Sequence, residues 1–394
     1  MKKVIILGAG IYQVPLIKKA REMGYYVIVC SIQGNYPGFQ FADKVYYENT
    51  TDKEKILQIA LQEKISGILT TGTDVAVKTI GYVCEKMGLN GISQASAGWS
   101  TDKFLMKEKF AAGNVRTAPF YKVSNISEAE KAVDQLQFPV IFKCVDKSGS
   151  RGIIKVECVD DIEKAYEYST SYTDRDYIIV EKFIEGYEIG LDGYINRSSN
   201  KKVLVPHGKI MYDNGYTKVP VGHIFPYECS LELKNDILEQ AEKAIDSLEL
   251  DNCFFNMDIL INSDRSYIIE VGGRTGATGI PELMSCYLKC DYYEAMVNNA
   301  VGETVQITNE GFGACAGALL LSETSGKISE IFVPEVKLKN YEQIQLDYSI
   351  GEFVNKFKVG PDRIGQIIVA NNEVELAMER LEKIKNKIII KTEA

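Results

Sequence analysis

The chain has 394 residues, of which 45% are hydrophobic and 25% are charged, with 32 Gly beside only 10 Pro. This length and composition exclude a small module and a disordered linker, and they predict about two to four domains. The formal net charge of −9 argues against a general nucleic-acid-binding protein but leaves room for a local basic pocket that binds a small anion.

Cysteine and histidine usage indicates an intracellular, metal-poor chain. The nine Cys include no C-x-x-C pair, which is typical of reduced thiols in a cytoplasmic protein. The two His, His207 and His223, stand in no zinc-ligand spacing with a Cys, so a structural zinc site is not expected. No apolar run reaches the roughly 18 residues of a membrane span. We therefore expect a cytoplasmic protein with neither membrane nor nucleic-acid partners.

The first hundred residues alternate apolar runs with helical periodicity. Strands are predicted at 4–7, 26–30 and 65–69, and a helix over 15–23 that Gly24 closes. A capping box of Thr51 and Glu54 predicts the start of another helix. The pattern is βαβαβ, which indicates a parallel sheet with helices on both faces.

The turn Gly8-Ala9-Gly10 invites a dinucleotide-binding interpretation, but the pattern is incomplete. The third glycine position holds Gln13, and the second strand ends at Cys30-Ser31 without an acidic residue for a ribose. A plain α/β turn is the favoured interpretation.

From Trp99 onward the pattern becomes α+β. Asp102 is predicted to cap a helix that begins at Lys103. Strands are then predicted at 139–143, 152–157, 177–181, 188–195, 254–261 and 267–271, with one helix around 235–248. A further strand series and a final helix over about 374–384 indicate a small third domain.

Two carboxylates form the clearest chemical motif. Asp258 and Glu270 lie on two apolar strands joined by a turn around 262–265, and a hairpin there places them nearly opposite each other. Like charges facing across a sheet are destabilising, so a divalent cation such as Mg²⁺ between them is the functional interpretation. The alternative is that one carboxylate faces solvent or pairs with Arg274.

Two further segments suit a nucleotide. The small residues from Lys143 to Gly152 could wrap backbone N–H groups around phosphate oxygens, although a Gly/Ser turn is as often structural. They do not form a P-loop, because a strand and not a helix follows. The segment from Glu181 to Glu188 could contact an adenine edge and ribose hydroxyls.

Taken in this order, these motifs resemble the ATP-grasp superfamily of ligases, and the resemblance covers nearly the whole chain. The supporting segments are Asp102-Lys103, the Lys143 strand, the SGSRG loop, Glu181-Lys182-Phe183, Asp258 … Glu270-x-x-x-Arg274, and Arg363 to Val369 before a helix. The resemblance implies an α/β pre-ATP-grasp domain at 1–98 and an α+β ATP-grasp domain at 99–302. A lid over about 118–184 and a C-terminal α+β domain at 303–394 complete the expected organisation.

The resemblance also implies roles for individual residues. Asp258 and Glu270 would bind Mg²⁺, with Mn²⁺ as an alternative ion, and Arg274 would orient the transferred phosphate. The residues implied in ATP binding are Lys103, Lys143, Ser148, Gly149, Ser150, Gly152, Glu181, Lys182, Phe183 and Glu188. Lys143 and Arg274 would be catalytic. One departure is Gly272, where many relatives have Asn, which puts the binding of a second metal ion in doubt.

The implied function is activation of a carboxylate, that of an amino acid, as an acyl phosphate, followed by transfer to an amine with release of ADP and phosphate. Alternatives are loading of a carrier-protein thiol, bicarbonate use as in biotin carboxylase or carbamoyl-phosphate synthase, and a non-catalytic nucleotide-binding module. Bicarbonate is disfavoured because no Arg occurs between Arg274 and Arg363. Relatives are commonly dimers, so a homodimer is expected from kinship alone.

Substrate contacts are expected in two places. The polar segment from Lys209 to His223 would be a loop that covers the acceptor, with His223 as a candidate contact. Glu282 would bind or deprotonate an amino group, although it also suits a helix N-terminus. Arg274 is the third candidate substrate contact.

Overall fold

The computed structural model describes residues 1–147, 149, 151–213 and 218–393, and the side chain of residue 218 is not among the parts described. The N-terminal sheet consists of four parallel strands in the order β3-β2-β1-β4. Its elements are β1 (Lys3–Leu7), α1 (Val14–Glu22), β2 (Tyr26–Ser31), β3 (Lys44–Tyr47), α2 (Lys53–Glu63), β4 (Gly67–Leu69), α3 (Val77–Met87) and α4 (Gln94–Trp99). The strands β1 and β2 are buried almost throughout, as their unbroken apolar runs require of a sheet covered on both faces.

The predicted parallel α/β unit is thus confirmed, with two corrections. The sequence analysis missed β3, which is only half-buried and carries three aromatic or charged side chains in four residues. The cap of α2 is Asp52, whose carboxylate accepts from the Lys55 amide, and not the predicted Thr51–Glu54 box.

A second sheet forms the predicted lid. Its four antiparallel strands lie in the order β5-β8-β6-β7, and α6 and α7 pack on one face around an apolar cluster. The elements of this region are α5 (Lys103–Ala112), β5 (Phe120–Val123), α6 (Ile126–Leu136), β6 (Val140–Lys143), β7 (Ile153–Val156), α7 (Ile162–Thr170) and β8 (Ile178–Lys182). Asp102 caps α5 as predicted, accepting from the amides of Phe104 and Leu105.

The central sheet has eight strands in the order β13-β12-β9-β10-β11-β14-β18-β16, and all its pairings are antiparallel. The elements up to residue 300 are β9 (Tyr187–Asn196), β10 (Lys201–Asp213), β11 (Lys218–Phe225), α8 (Leu231–Ser247), β12 (Cys253–Asn262), β13 (Arg265–Gly272), α9 (Ile280–Leu288) and α10 (Tyr292–Ala300). The later ones are β14 (Ala314–Leu320), β15 (Gly326–Phe332), β16 (Gln343–Leu346), β17 (Phe353–Val354), β18 (Gly365–Asn371), α11 (Val374–Lys385) and β19 (Ile389–Glu393). β15, β17 and β19 form a separate three-stranded sheet.

The hairpin of β12 and β13 follows from local sequence. Asn262 pairs with Arg265, so the loop has two residues, Ser263 and Asp264, with φ values of 45° and 60°. Positive φ at both central positions is the signature of the type I′ turn, whose twist matches that of the flanking strands. The alternating burial of β12 turns Asn256, Asp258 and Leu260 to the less buried face, away from the core.

The core joins the N-terminal sheet to the central sheet. One buried cluster combines Ile5 and Ile28 of the first with Leu191 and Met257 of the second. The central sheet also continues across residue 302 into β14, β16 and β18, so the proposed division of the chain at 98/99 and 302/303 stays a prediction. None of the described helices is long and apolar enough to cross a bilayer.

Candidate functional site

A cleft of about 1280 Å³ separates the lid sheet from the central sheet. Residues from both sides line it: Lys103, Lys107, Lys143, Gly149, Glu181, Lys182, Phe183, Glu188, Lys209, Asp258 and Glu270. The volume exceeds the 300–1000 Å³ of most small-molecule sites. A nucleotide and a second substrate therefore have room in one cleft.

At one end of the cleft a buried carboxylate lies between two lysines. Glu181 on β8 accepts from Lys143 Nζ at 2.8 Å and pairs with Lys107 Nζ at 3.4 Å. Burial lowers the pKa of Lys107 to about 8, despite the opposing effect of Glu181. Burial also opposes the charge of Glu181, but the two ammonium groups prevail and its pKa is lowered. The end of the cleft therefore holds a charged carboxylate that can accept hydrogen bonds.

The two residues after Glu181 also line the cleft. Lys182 donates through Nζ to the carbonyls of Gln137 and Phe138, and the Phe183 ring lies beneath the Lys155 ammonium at 4.4 Å. Both side chains are thus held in place by the lid. The amides of Lys182 and Phe183 donate to the carbonyls of Pro119 and Pro139, so the strand end presents mainly the Phe183 ring where an adenine is predicted.

The predicted phosphate-binding loop connects β6 to β7. Its base is closed by a hydrogen bond from the Cys144 amide to the Gly152 carbonyl at 3.0 Å. Gly152 has φ of 64°, and a Cβ there would lie 2.8 Å from Cys144 Sγ, so the turn requires glycine. Gly149 lines the cleft, whereas Ser148 and Ser150 lie outside the described residues.

Lys103 connects this loop to the strand that carries Glu270. Its Nζ donates to the Lys147 carbonyl at 2.8 Å and lies 3.1 Å from Glu270 Oε2. Burial opposes its charge, but Glu270 more than compensates and the pKa of Lys103 is raised. A cation is therefore fixed between the loop and the strand that carries Glu270.

The two carboxylates of the predicted metal site face each other. Asp258 pairs directly with Glu270 in the register of β12 and β13. Lys209 of β10 lies against them, with Nζ 2.6 Å from Asp258 and 3.2 Å from Glu188. Burial opposes the charge of Lys209, but Asp258 and Glu188 outweigh it, so its pKa is raised.

The donor set fits a magnesium ion that is shared with a nucleotide. Asp258 and Glu270 supply only oxygen, the ligand type Mg²⁺ prefers, and two lysines already balance their charge. Among the described residues no group of three or more His, Cys, Asp or Glu could hold a metal ion. Phosphate oxygens would supply further ligands, as is usual for Mg²⁺ at nucleotide sites.

Arg274 follows β13 at the junction with the N-terminal domain. Its Nη2 lies 2.6 Å from Asp74 Oδ2, and its Nη1 donates to Asn256 at 3.4 Å and to the Thr275 carbonyl at 3.2 Å. Its Nε is buried and has no hydrogen-bond partner in the part of the chain that the structure describes. Burial opposes its charge, but Asp74 contributes most to raising its pKa. Arg274 is thus a cation held in place by Asp74, Asn256 and the Thr275 carbonyl.

The predicted substrate residues have different outcomes. The expected loop from Lys209 to His223 is wrong, because β10 reaches Asp213 and β11 contains His223. His223 is buried against His207, does not line the cleft, and has a pKa well below its usual value because of burial. Glu282, near the start of α9, accepts from Gln366 at 3.0 Å. Its other oxygen is buried, lies near Tyr293 and makes no well-aligned hydrogen bond among the described residues.

Sequence reasoning missed several residues of the site. Lys107, Lys209 and Asp74 contact predicted site residues, but each lies far from its partner in the chain. Arg363 was noted only as part of a strand motif. It is almost fully buried and bonds to Asp347 at 2.9 Å and Gln366 at 2.6 Å. It lies two residues before β18 begins, and a charged residue next to that buried apolar strand was the available signal.

The fold and the site define an ATP-dependent ligase with its nucleotide cleft between two antiparallel sheets. The family model for the D-ala D-ala ligase C-terminus matches residues 114–297. The chain is 30% identical to the crystal structure of phosphoribosylglycinamide synthetase from Anaerococcus prevotii, with full coverage of both chains and a TM-score of 0.85. It belongs to the ATP-grasp superfamily of carboxylate–amine ligases, which use ATP and Mg²⁺ to form C–N bonds.

Two further relatives extend the comparison. The chain is 23% identical to the formate-dependent phosphoribosylglycinamide formyltransferase of Tolumonas auensis, with 99% of this chain and 96% of that protein aligned. The biotin carboxylase domain dimer of the Hydrogenobacter thermophilus 2-oxoglutarate carboxylase, solved with MgADP and bicarbonate, has a TM-score of 0.83 at 18% identity. The match covers 99% of this chain and 91% of that domain, and it reflects the fold alone.

Proposed function

We propose that this chain joins a small carboxylate, of the size of formate or an amino acid such as glycine, to a primary amine. Carboxylate activation would use ATP and release ADP and phosphate. The observation that carries the proposal is the pairing of Asp258 with Glu270 in the wall of the cleft, with Lys103 at 3.1 Å from Glu270.

ATP would lie across the cleft with its adenine at Glu181, Lys182 and Phe183. Glu188 would accept from the ribose hydroxyls, and Lys143 and Lys103 would contact the phosphates. Both lysines are held by carboxylates 2.8 and 3.1 Å away, so phosphate oxygens would replace these partners when the nucleotide binds. Gly149, which lines the cleft, would lie beside the phosphates.

A carboxylate is a poor acyl donor because oxide is a poor leaving group. One carboxylate oxygen would attack the γ-phosphorus, ADP would leave, and the amine nitrogen would then displace phosphate from the acyl carbon. A magnesium ion at Asp258 and Glu270 supplies charge neutralisation for the phosphate oxygens. Arg274, held by Asp74, would orient the transferred phosphoryl group, and the closed cleft would exclude water from the acyl phosphate.

The names of the relatives support a small carboxylate. One relative is formate-dependent, and another is named for a glycinamide product. Both names are consistent with a carboxylate of very few atoms that becomes part of a C–N bond. A small amino acid, the substrate inferred from the sequence, is such a carboxylate. Neither these two nor the biotin carboxylase domain is named for carrier-protein loading, and we do not propose a carrier partner.

The amine would bind beside Glu282, between the N-terminal domain and β18. Tyr12 and Glu282 each have a buried oxygen that makes no well-aligned hydrogen bond among the described residues, although Thr278 lies near the first and Tyr293 near the second. Both residues line a small cavity next to Arg363. Burial raises the pKa of Tyr12, so its hydroxyl is a donor. A free carboxylate oxygen beside a hydroxyl suits an amine, because Glu282 can hold the ammonium form and accept its proton during attack.

The test is a product screen. Purified protein with Mg-ATP is offered formate, glycine, other amino acids and bicarbonate, each with a mixture of primary amines, and phosphate and new masses are measured. We expect phosphate release that depends on a carboxylate, with a new amide whose mass shows the loss of water. A carboxylated amine would replace the proposal with bicarbonate chemistry. ATP binding without phosphate release from any mixture would leave a nucleotide-binding module.

We also propose that the chain forms a homodimer, as the named biotin carboxylase domain does. Light scattering coupled to gel filtration measures this directly. A single species with the mass of one chain, 44.0 kDa, would contradict it.

A further inference from the structure

Asp192 is a fully buried carboxylate in the middle of the central sheet that the reaction as described does not use. It lies on β9, which is flanked by β10 and β12. It does not line the nucleotide cleft. Four polar groups surround it, and the ring nitrogen nearest to it among the described residues is His207 Nε2, at 3.1 Å. Among the described residues, no Lys or Arg lies within ion-pair distance of the Asp192 carboxylate.

One oxygen of Asp192 holds the backbone that follows Arg274. Its Oδ1 accepts from the Gly276 amide at 2.8 Å and from the Thr275 hydroxyl at 3.4 Å. A Cβ on Gly276 would lie 3.3 Å from this oxygen and 2.9 Å from Ile280 Cγ1, so the close approach of the backbone favours glycine. Asp192 thereby fixes the chain one and two residues beyond Arg274.

The other oxygen of Asp192 reaches Arg274 through a side chain. Its Oδ2 accepts from Asn256 Nδ2 at 2.7 Å, and Asn256 Oδ1 in turn accepts from Arg274 Nη1 at 3.4 Å. This bond determines which way the Asn256 amide points, because the NH₂ group must face the carboxylate. The Asn256 oxygen is therefore presented to the guanidinium.

His207 completes the cluster from β10. Its ring stacks on Phe225 with centroids 4.6 Å apart, and its Nε2 lies 3.1 Å from Asp192 Oδ2. A Cβ at Gly190 would lie 2.1 Å from the ring, so this glycine makes room for it. The chain thus provides a rigid surrounding for a carboxylate that touches no substrate.

We propose that Asp192 is a positioning residue for Arg274, acting through Asn256 on one side and through the Gly276 amide on the other. The inference rests on the proposed function, in which Arg274 orients the γ-phosphate. Asparagine cannot replace Asp192, since one of its two terminal atoms is a donor. If that donor faces Asn256, the Asn256 amide must rotate and turn its NH₂ group toward the Arg274 guanidinium.

The experiment compares the affinities for Mg-ADP and for Mg-AMP-PNP, a non-hydrolysed ATP analogue, by calorimetry. Only the second ligand has a γ-phosphate, so the ratio of the two Kd values reports on Arg274. For Asp192→Asn and Asn256→Ala we expect the Kd for Mg-AMP-PNP to rise about tenfold, the scale of a small misplacement in an active site. The Kd for Mg-ADP should stay within about twofold, because the nucleoside end of the cleft is untouched.

The matched control is Asp236→Asn. Asp236 is also a hydrogen-bonded carboxylate, which accepts from Arg116 at 2.7 Å and from the Ser266 amide at 2.8 Å, but it makes no contact with Arg274. Both of its affinities should match the wild type. In the double variant Asp192→Asn, Asn256→Ala the loss should be no larger than in the stronger single variant, because both residues act through one guanidinium.

Arg274→Ala separates this inference from the proposed function. If Arg274→Ala itself keeps the wild-type preference for Mg-AMP-PNP, the proposed role of Arg274 is wrong, and the inference falls with it. If Arg274→Ala loses the preference but Asp192→Asn and Asn256→Ala keep it, only the positioning role is wrong. If Asp192→Asn weakens the binding of Mg-ADP and Mg-AMP-PNP equally, Asp192 has a general structural role and the positioning role is wrong. If Asp192→Asn fails to fold, the ratio of the two Kd values in Asn256→Ala tests the positioning role.

Discussion

Replacing Glu270 by glutamine distinguishes a metal ligand from a structural carboxylate. In the structure Glu270 is about 30% exposed and its ion-pair partner is Lys103, 3.1 Å away. When glutamine removes the charge of Glu270, Lys103 Nζ can still donate to the Lys147 carbonyl at 2.8 Å. The substitution therefore does not leave a buried cation without a partner. The pair is therefore comparable to a partly exposed salt bridge, worth about 1 kcal/mol at most.

The expected cost to stability is correspondingly small. A change of about 1 kcal/mol shifts the Tm of a chain of this size by roughly 2 °C. Catalysis should suffer much more, because the amide cannot supply the negative oxygen that Mg²⁺ prefers. We expect turnover to fall at least about 100-fold and the Mg²⁺ concentration for half-maximal rate to rise about tenfold, as for loss of a group that tunes a metal site.

The assay is carboxylate-dependent phosphate release at saturating ATP over a range of Mg²⁺ concentrations, together with thermal unfolding. Glu303→Gln is the matched control, since Glu303 also pairs with one lysine, Lys2 at 2.6 Å, on the surface away from the cleft. A Glu270→Gln enzyme with the turnover and Mg²⁺ dependence of Glu303→Gln would refute the assignment of Glu270 to the metal site. Loss of activity with a Tm lowered by more than about 10 °C would refute the structural part of the reasoning.

Three further predictions concern other parts of the site. Because the pKa of Lys107 is lowered to about 8, it is charged below and neutral above this pH, so Glu181 loses a cationic partner as the pH rises. The Kd for Mg-ADP should increase up to about tenfold from pH 7 to 9 in the wild type. This Kd should change less with pH in Lys107→Met. A wild-type Kd that stays constant from pH 7 to 9 would contradict the proposed contact of Glu181 with the adenine. Arg363→Lys should raise the KM for the amine about tenfold or more, because lysine cannot bond Asp347 and Gln366 in the same planar geometry. An increase in the KM for ATP with an unchanged KM for the amine would contradict the placement of the amine beside Arg363. Asp102→Ala removes the cap of α5 and should lower the free energy of unfolding by about 1–2 kcal/mol in urea denaturation, whereas Asp102→Asn should lower it less. Equal losses for the two variants would show that capping is not the role of this side chain.

The parts of the site that could be predicted from the sequence are those determined by local geometry. Asp258 and Glu270 face each other because a two-residue turn fixes the register of one hairpin, and both facts are visible within about 20 residues. The cap of α5 is likewise local, since Asp102 bonds to amides two and three residues away. The order of such local motifs along the chain was sufficient to indicate the superfamily.

The remaining contacts depend on pairings between distant segments. Lys209 reaches Asp258 only because β9 lies between β10 and β12, and no local pattern determines that order. The strand β10 also explains why a loop was wrongly predicted from Lys209 to His223. On the face of β10 that borders the cleft, Lys209 and Asp213 are polar because they line the cleft, and this polarity resembles that of a loop.

Gly272 shows how a departure from a family pattern is resolved in three dimensions. A Cβ at this position would lie 2.9 Å from Asp74 Oδ1, which is closer than real side chains approach. The asparagine of many relatives would therefore collide with the carboxylate that bonds Arg274 at 2.6 Å. An asparagine at 272 would require the Asp74 carboxylate to move from the position in which it bonds Arg274, so glycine at 272 permits this pairing. Gly272, the difference that put a second metal ion in doubt, thus leaves room for Asp74 of the N-terminal domain. Asp74 bonds Arg274, the residue that is proposed to orient the phosphate.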